Sequence, residues 1–275
     1  MRTTLIAITG LSLGIAAASL PARAADVYYT LTYPGGNGEV LAITVSEDQI
    51  TTTDIGPTGV PGCASLAMSK GGLLYSMCGQ LLPPGPQQLT IIDLTTGHGT
   101  MFGVPVPGLS VMAMTFGPDG TLYAVGDCNP DPTISVCGGG AADPAYNSLY
   151  RVDVNTGAFT RIGSTGAPEY FMDLAFDRHG HLFGVTTTLS VTYTPAILYR
   201  IDPATGAATK VVDLVGSPQV MGLAFGEDGK LYGTDWMAHP GLYLIDMKTG
   251  FETAIAKLPL PFSTGLELVS RHDND

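Results

Sequence analysis

Short apolar or alternating runs, each closed by a turn rich in Asp, Gly and Thr, recur through the chain. One phrase, Leu-x-x-Ile/Val-Asp-x-x-Thr-Gly, is written four times: LTIIDLTTG from Leu89, LYRVDVNTG from Leu149, LYRIDPATG from Leu198 and LYLIDMKTG from Leu242. Between the copies runs a second phrase of apolar strand, turn and strand: AMTFGPDGTLY ending at Tyr123, DLAFDRHGHLF at Phe183 and GLAFGEDGKLY at Tyr232. Runs of this length and alternation are strand-like, and self-similarity at a fixed period marks stacked supersecondary units. Each unit therefore reads as a four-stranded blade. In the third repeat strand A is expected over 170–177, B over 181–187, C over 197–202 and D over 207–214. The A–B turns (Asp-Gly or His-Gly) and the C–D turns (Asp-x-x-Thr-Gly) use Asp to accept turn amides and Gly to take left-handed backbone. The repeated Asp and Gly residues are thus turn formers, without the dense carboxylate spacing of a calcium loop.

The second phrase ends at Tyr75, Tyr123, Phe183 and Tyr232, so successive copies lie 48, 60 and 49 residues apart. A fifth copy is split between the chain ends. Residues 262–270 look like a strand A with no B after it, and 27–32 like a strand B with no A before it. Adding 40–45 as C and 50–55 as D completes one blade from both ends. The expected fold is an all-β, five-bladed β-propeller of four antiparallel strands per blade, a ring that leaves few sheet edges exposed. Five such blades account for residues 25–275 as a single domain.

Residues 1–24 read as a cleaved secretory signal: Arg2 as the positive start, an apolar run over 5–20, Pro21 as breaker and Ala22-Arg23-Ala24 as a small-x-small cleavage site. Sixteen apolar residues interrupted by Gly10 and Gly14 are short for a bilayer that needs about 20. A secreted or periplasmic location follows, and there cysteines are expected to pair. Cys63 and Cys78 stand equidistant from the centre of one hairpin, on opposite strands, and Cys128 and Cys137 bracket a loop with two prolines. The expected disulfides are Cys63–Cys78 and Cys128–Cys137; no Cys-x-x-Cys invites a metal reading.

The sequence carries 36 Gly and 20 Pro, enough to supply the turns, and only 13% of its residues are charged. Without the signal there are 10 basic against 24 acidic residues, a balance of −14. Such a charge argues against nucleic acid or anionic lipid as a partner and admits cationic ligands or calcium.

The phrases LYRIDPATG and MGLAFGEDGKLYG resemble the secreted bacterial β-propellers of the NHL, YncE and gluconolactonase-like group, over most of residues 63–268. The resemblance implies that strand A is innermost and D outermost, with the B–C and D–A connections at one end of the ring and the short A–B and C–D turns at the other. In gluconolactonase-like enzymes a central divalent metal is held by acidic and amide side chains, including an Asn just before the Gly-Leu/Ile-Ala-Phe/Trp strand. Here Met221 and Met172 stand at that position, and a thioether is a poor ligand for calcium or magnesium.

Loop length points to the B–C end as the binding face. The long connections there hold Tyr146 in the second blade, Tyr193 in the third, and Trp236 and His239 in the fourth; with Tyr170 at the start of a strand A these are the expected ligand-binding residues. Large aromatics also cover the ends of sheets. Near the channel Asp173 stands where other repeats have Ser65, Ala113 and Gly222, and Glu267 where they have Ala175 and Ala224. Either could be a metal ligand or a general acid/base, with Asp127 or Asp235 as a third acid, or could be satisfied by backbone amides. His179 and His181 sit in an A–B turn without a visible third ligand, and the inner-strand Met68, Met112, Met114, Met172 and Met221 read as core filler rather than a copper site. No Gly-x-Ser-x-Gly is present. The expected function is binding of a ligand or partner protein through the long-loop face without a cofactor. The alternative is a metal-dependent lactonase or glycosidase, with calcium held by Asp173 and Glu267, and a third possibility is a structural module of the envelope.

Overall fold

The structure is a computed structural model describing residues 25–32, 37–46, 49–79, 86–106, 109–128, 147–187, 195–216, 219–235, 241–259 and 263–269. Near the N-terminus β1 (Asp26–Thr32), β2 (Asn37–Val45) and β3 (Ile50–Pro61) form three strands of one sheet. Four complete blades follow. They are β4 (Ala64–Met68) to β7 (Gly99–Val106) through β5 (Leu74–Gly79) and β6 (Gln87–Ile92), and β8 (Leu109–Phe116) to β11 (Phe159–Ser164) through β9 (Leu122–Cys128) and β10 (Ser148–Val152). The third has β12 (Tyr170–Phe176), β13 (Leu182–Thr187), β14 (Ile197–Ile201) and β15 (Ala208–Asp213); the fourth has β16 (Val220–Phe225), β17 (Leu231–Asp235), β18 (Gly241–Ile245) and β19 (Glu252–Lys257). Last, β20 (Ser263–Leu268) pairs antiparallel with β1, giving the order β20-β1-β2-β3 and closing blade 5 from both chain ends. The protein is a five-bladed β-propeller.

Strands β4, β8, β12, β16 and β20 are innermost and pack on one another in a ring. All five carry a bulge, with Met112, Met172, Met221 and Gly265 left unpaired in β8, β12, β16 and β20, and Ser65 and Leu66 in β4. A bulge bends a strand and re-aims the side chain beside it, which here fixes where Asp173 points. Small residues at this level let backbones close in: a Cβ on Gly222 would lie 2.9 Å from Cβ of Leu266.

The core lies between blades, and both repeated phrases supply it. The aromatic residue of each strand B meets the Phe of the next strand A: Tyr75–Phe116, Tyr123–Phe176 and Phe183–Phe225 all have ring centroids 5.5 Å apart. At the seam between blades 4 and 5, Tyr232 meets Tyr28 at the same distance. The Thr-Gly of the C–D turn receives the outer strand of the preceding blade. Val104 N–H donates to Thr156 O at 2.8 Å and Val215 N–H to Gly250 O at 2.7 Å. At the matching place in blade 2, Gly163 lies so close to the Thr205 carbonyl that a Cβ could not fit. The turn signal is therefore also an inter-blade strap.

One strand differs in extent from the sequence expectation, and one expected disulfide is in place. β3 continues past residue 55 to Pro61, because its second half lies across blade 1, where Val60 and Thr58 meet Gly99. The disulfide Cys63–Cys78 is present, joining the buried ends of the β4–β5 hairpin; Cys137 lies outside the described residues.

Candidate functional site

Asp173 is the centre of the inner ring. It follows the Met172 bulge, is fully buried, and has both oxygens engaged. Oδ1 accepts from Leu174 N–H at 2.9 Å; Oδ2 accepts from Leu223 N–H at 2.7 Å and Leu266 N–H at 2.9 Å. The three amides sit one position after the Asp173 level in blades 3, 4 and 5, so one carboxyl ties three innermost strands together. Burial pushes this carboxyl well above the ordinary carboxylate range; the three amides pull it down, and the charge of Glu267 adds to the rise.

Glu267, on β20, is half-buried and close enough for its charge to be felt at Asp173. Burial raises its carboxyl to about 8, opposed by a hydrogen bond from the Met68 backbone amide, which links blade 5 to blade 1. The remaining seams have similar clasps. Gln87, buried in β6, accepts from Val111 N–H at 2.6 Å and donates to Val111 O at 3.4 Å, joining blades 1 and 2. Asn147, in left-handed backbone (φ 42°), donates to Ala167 O at 2.8 Å and to Glu169 O, joining blades 2 and 3. Sequence reading missed Gln87 and Asn147, which stand beside Gln88 and Ser148 and look like ordinary surface amides.

Of the expected site residues, the structure brings Asp173 and Glu267 within electrostatic reach of each other. Tyr170 is half-buried against the blade 3–4 core, and Asp235 is buried at the end of β17. Tyr146, Tyr193, Trp236 and His239 lie outside the described residues, as does the Asp127 side chain. The inner-strand methionines are core: Met68, Met114, Met172 and Met221 are buried, and Met112 packs against the cluster that holds Met172 and Met221. His179 and His181 have ring centroids 6.2 Å apart, but each is already partnered: Nε2 of His179 accepts from Arg178 Nε at 3.3 Å, and Nδ1 of His181 meets Asp177 at 2.9 Å.

A divalent cation in the channel would need converging oxygen ligands. Asp173 has its oxygens turned to three N–H dipoles, which favour an anion, and the neighbouring bulge residues are the thioethers Met172 and Met221. Among the described residues no three His, Cys, Asp or Glu side chains come together. The residues present do not fit a resident calcium ion there.

The ring and its clasped channel define a class, the five-bladed β-propellers. No protein-family model matches the chain, and no curated protein matches it in sequence. Among solved structures it is similar to a chain of a nidogen/laminin complex (12% identity, TM-score 0.55, 88% of this chain and 98% of that one). It is also similar to TolB from Acinetobacter baumannii (12%, 0.51, 90% and 67%) and to a gluconolactonase from Xanthomonas campestris (12%, 0.48, 89% and 80%). At these identities the likeness is one of fold.

Proposed function

We propose that the protein is an exported β-propeller of the NHL, YncE and gluconolactonase-like group that binds a ligand or partner protein through the face bearing its long B–C connections. The observation that carries this reading is the state of the channel carboxyls. Catalysis by a channel metal needs acids free to hold it, and Asp173 is fully engaged with backbone amides of three blades. What remains at the B–C end is a rigid rim, with Tyr170, Thr187 and Asp235 at strand ends, from which the segments with Tyr146, Tyr193, Trp236 and His239 depart. Long loops on a stiff scaffold suit recognition. Export rests on the signal-like residues 1–24 and accords with the Cys63–Cys78 disulfide; no helix among the described residues is long and apolar enough to cross a membrane.

The test is thermal unfolding of the protein beginning at residue 25, with EDTA and then with added calcium, since a metal bound only by the native state raises the midpoint. No change is expected. A midpoint that falls in EDTA and recovers with calcium would overturn the reading and bring the lactonase or glycosidase forward.

A further inference from the structure

The opposite end of the ring, where the A–B and C–D turns lie, carries a groove of about 420 Å³ on blade 3. It is bordered by the apolar Pro203, Ala207 and Val211 and by the polar His181, Arg200, Asp202, Thr209 and Lys210, with the buried Ile201 beneath. The volume falls in the range of small-molecule pockets, and apolar side chains with a few polar groups are their usual lining.

Comparison between blades shows why Arg200 stands there without a carboxylate of its own in a chain of net charge −12. Arg200 on β14 pairs in register with Phe183 and Thr209; Arg151 on β10 pairs with Tyr123 and Thr160, the same position one blade earlier. In blade 2 the A–B turn Gly-Pro-Asp-Gly-Thr supplies Asp119, which is held by the Thr121 N–H and hydroxyl and also feels the charge of Arg151. In blade 4 the matching turn supplies Asp228. In blade 3 the turn is Asp-Arg-His-Gly-His and the matching residue is His179. The arginine is kept while its carboxylate is gone, and Arg200 is exposed with no ion pair or hydrogen bond among the described residues.

The acids nearby are tied into their own turns and form no ion pair with Arg200 among the described residues. Asp177 accepts from His179 N–H, His181 N–H and the His181 ring; Asp202 accepts from Ala204 N–H at 2.9 Å and the Thr205 hydroxyl at 2.8 Å. Lys210 pairs with Asp213 at 2.7 Å, but both are about half exposed, and such a pair is weak and easily exchanged.

We infer that this groove binds a small organic carboxylate: the ligand's carboxyl supplies to Arg200 the negative charge that the turn residue Asp119 supplies near Arg151 in blade 2, and its apolar body lies on Pro203, Ala207 and Val211. The site is independent of the long-loop face, at the other end of the ring.

The experiment is a titration of the ¹⁵N-labelled protein at pH 7 and constant ionic strength with hexanoate, and separately with the uncharged hexanamide, following backbone amide shifts. Hexanoate is expected to give saturable shifts at Gly180, His181, Asp202 and Lys210, and hexanamide none. Arg200→Ala should weaken hexanoate by about tenfold or more, the loss expected for one charge-assisted hydrogen bond. His179→Asp, which restores the sister-blade carboxylate, should do the same, while Arg151→Ala changes nothing. All three positions are on the surface, and an unchanged unfolding midpoint confirms each variant as folded. Absence of saturable shifts, equal shifts with hexanamide, shifts spread over the whole surface, or affinity surviving both Arg200→Ala and His179→Asp would each overturn the inference.

Discussion

Replacing Asp173 by Ala removes the acceptor of three buried N–H groups at once: its own neighbour's and those of Leu223 and Leu266 in two other blades. A buried donor left without a partner costs about 1–3 kcal/mol. Water from the channel could re-satisfy some of them, so the expected loss is about 3–5 kcal/mol, at the upper end for a single substitution. Asp173→Asn keeps one acceptor oxygen, enough for Leu223 and Leu266 if it takes the Oδ2 place, and sets an NH₂ against the Leu174 amide; about 1–2 kcal/mol should go. The assay is urea unfolding at pH 7 with the disulfide intact, followed by far-UV circular dichroism. Asp202→Ala, an exposed turn carboxylate, serves as the control and should cost far less than Asp173→Ala. Should Asp173→Ala lie within about 0.5 kcal/mol of the wild type, the three amides are satisfied without the carboxyl and the clasp is not what holds blades 3, 4 and 5.

Three further outcomes follow from the same structure. Glu267 has a folded-state pKa of about 8, above its value in the unfolded chain, so its contribution is complete in acid and disappears as pH rises through about 8; stability should fall across that interval by up to about 1.4 kcal/mol per pH unit, and Glu267→Gln should flatten the profile, an unchanged slope refuting the assignment. Replacing both Cys63 and Cys78 by Ala opens a loop with a sequence separation of 15 and should lower stability by about 3 kcal/mol in denaturant titrations; a loss below about 1 kcal/mol would mean the β4–β5 hairpin is equally restricted in the unfolded chain. A double-mutant cycle of Tyr123→Leu and Phe176→Leu should return a coupling of about 0.5–1.5 kcal/mol for that ring pair, and additivity would show that the repeated aromatics contribute only by burial.

The blades were legible because each depends on local rules. The Leu-Tyr-x-Ile-Asp phrase, the turn Asp and Gly, and the split fifth copy all report short-range pairing, and β12 to β15 begin and end within a residue of the expected limits. What the sequence could not show is which main-chain groups meet a given side chain. Asp173 was visible as a carboxylate among small residues, but its partners are amides 50 and 93 residues away, and an amide has no signature in a residue string. The same reason hid the strap role of Thr156 and Gly250, whose backbones receive another blade. Gln87 and Asn147 were overlooked because nothing local distinguishes a clasp from a solvated amide.

Asp173 also imposes an order on assembly. One of its three donors, Leu266 N–H, belongs to β20, the last of the ring's twenty described strands to be synthesised. A chain stalled before that strand carries a carboxyl short of one donor and a ring with a missing stave, so four-blade intermediates should be soft and protease-sensitive rather than native-like. Circular permutants that move residues 263–269 ahead of Asp173 would remove that wait, and should let the first half of the molecule become protected while the rest is still being made.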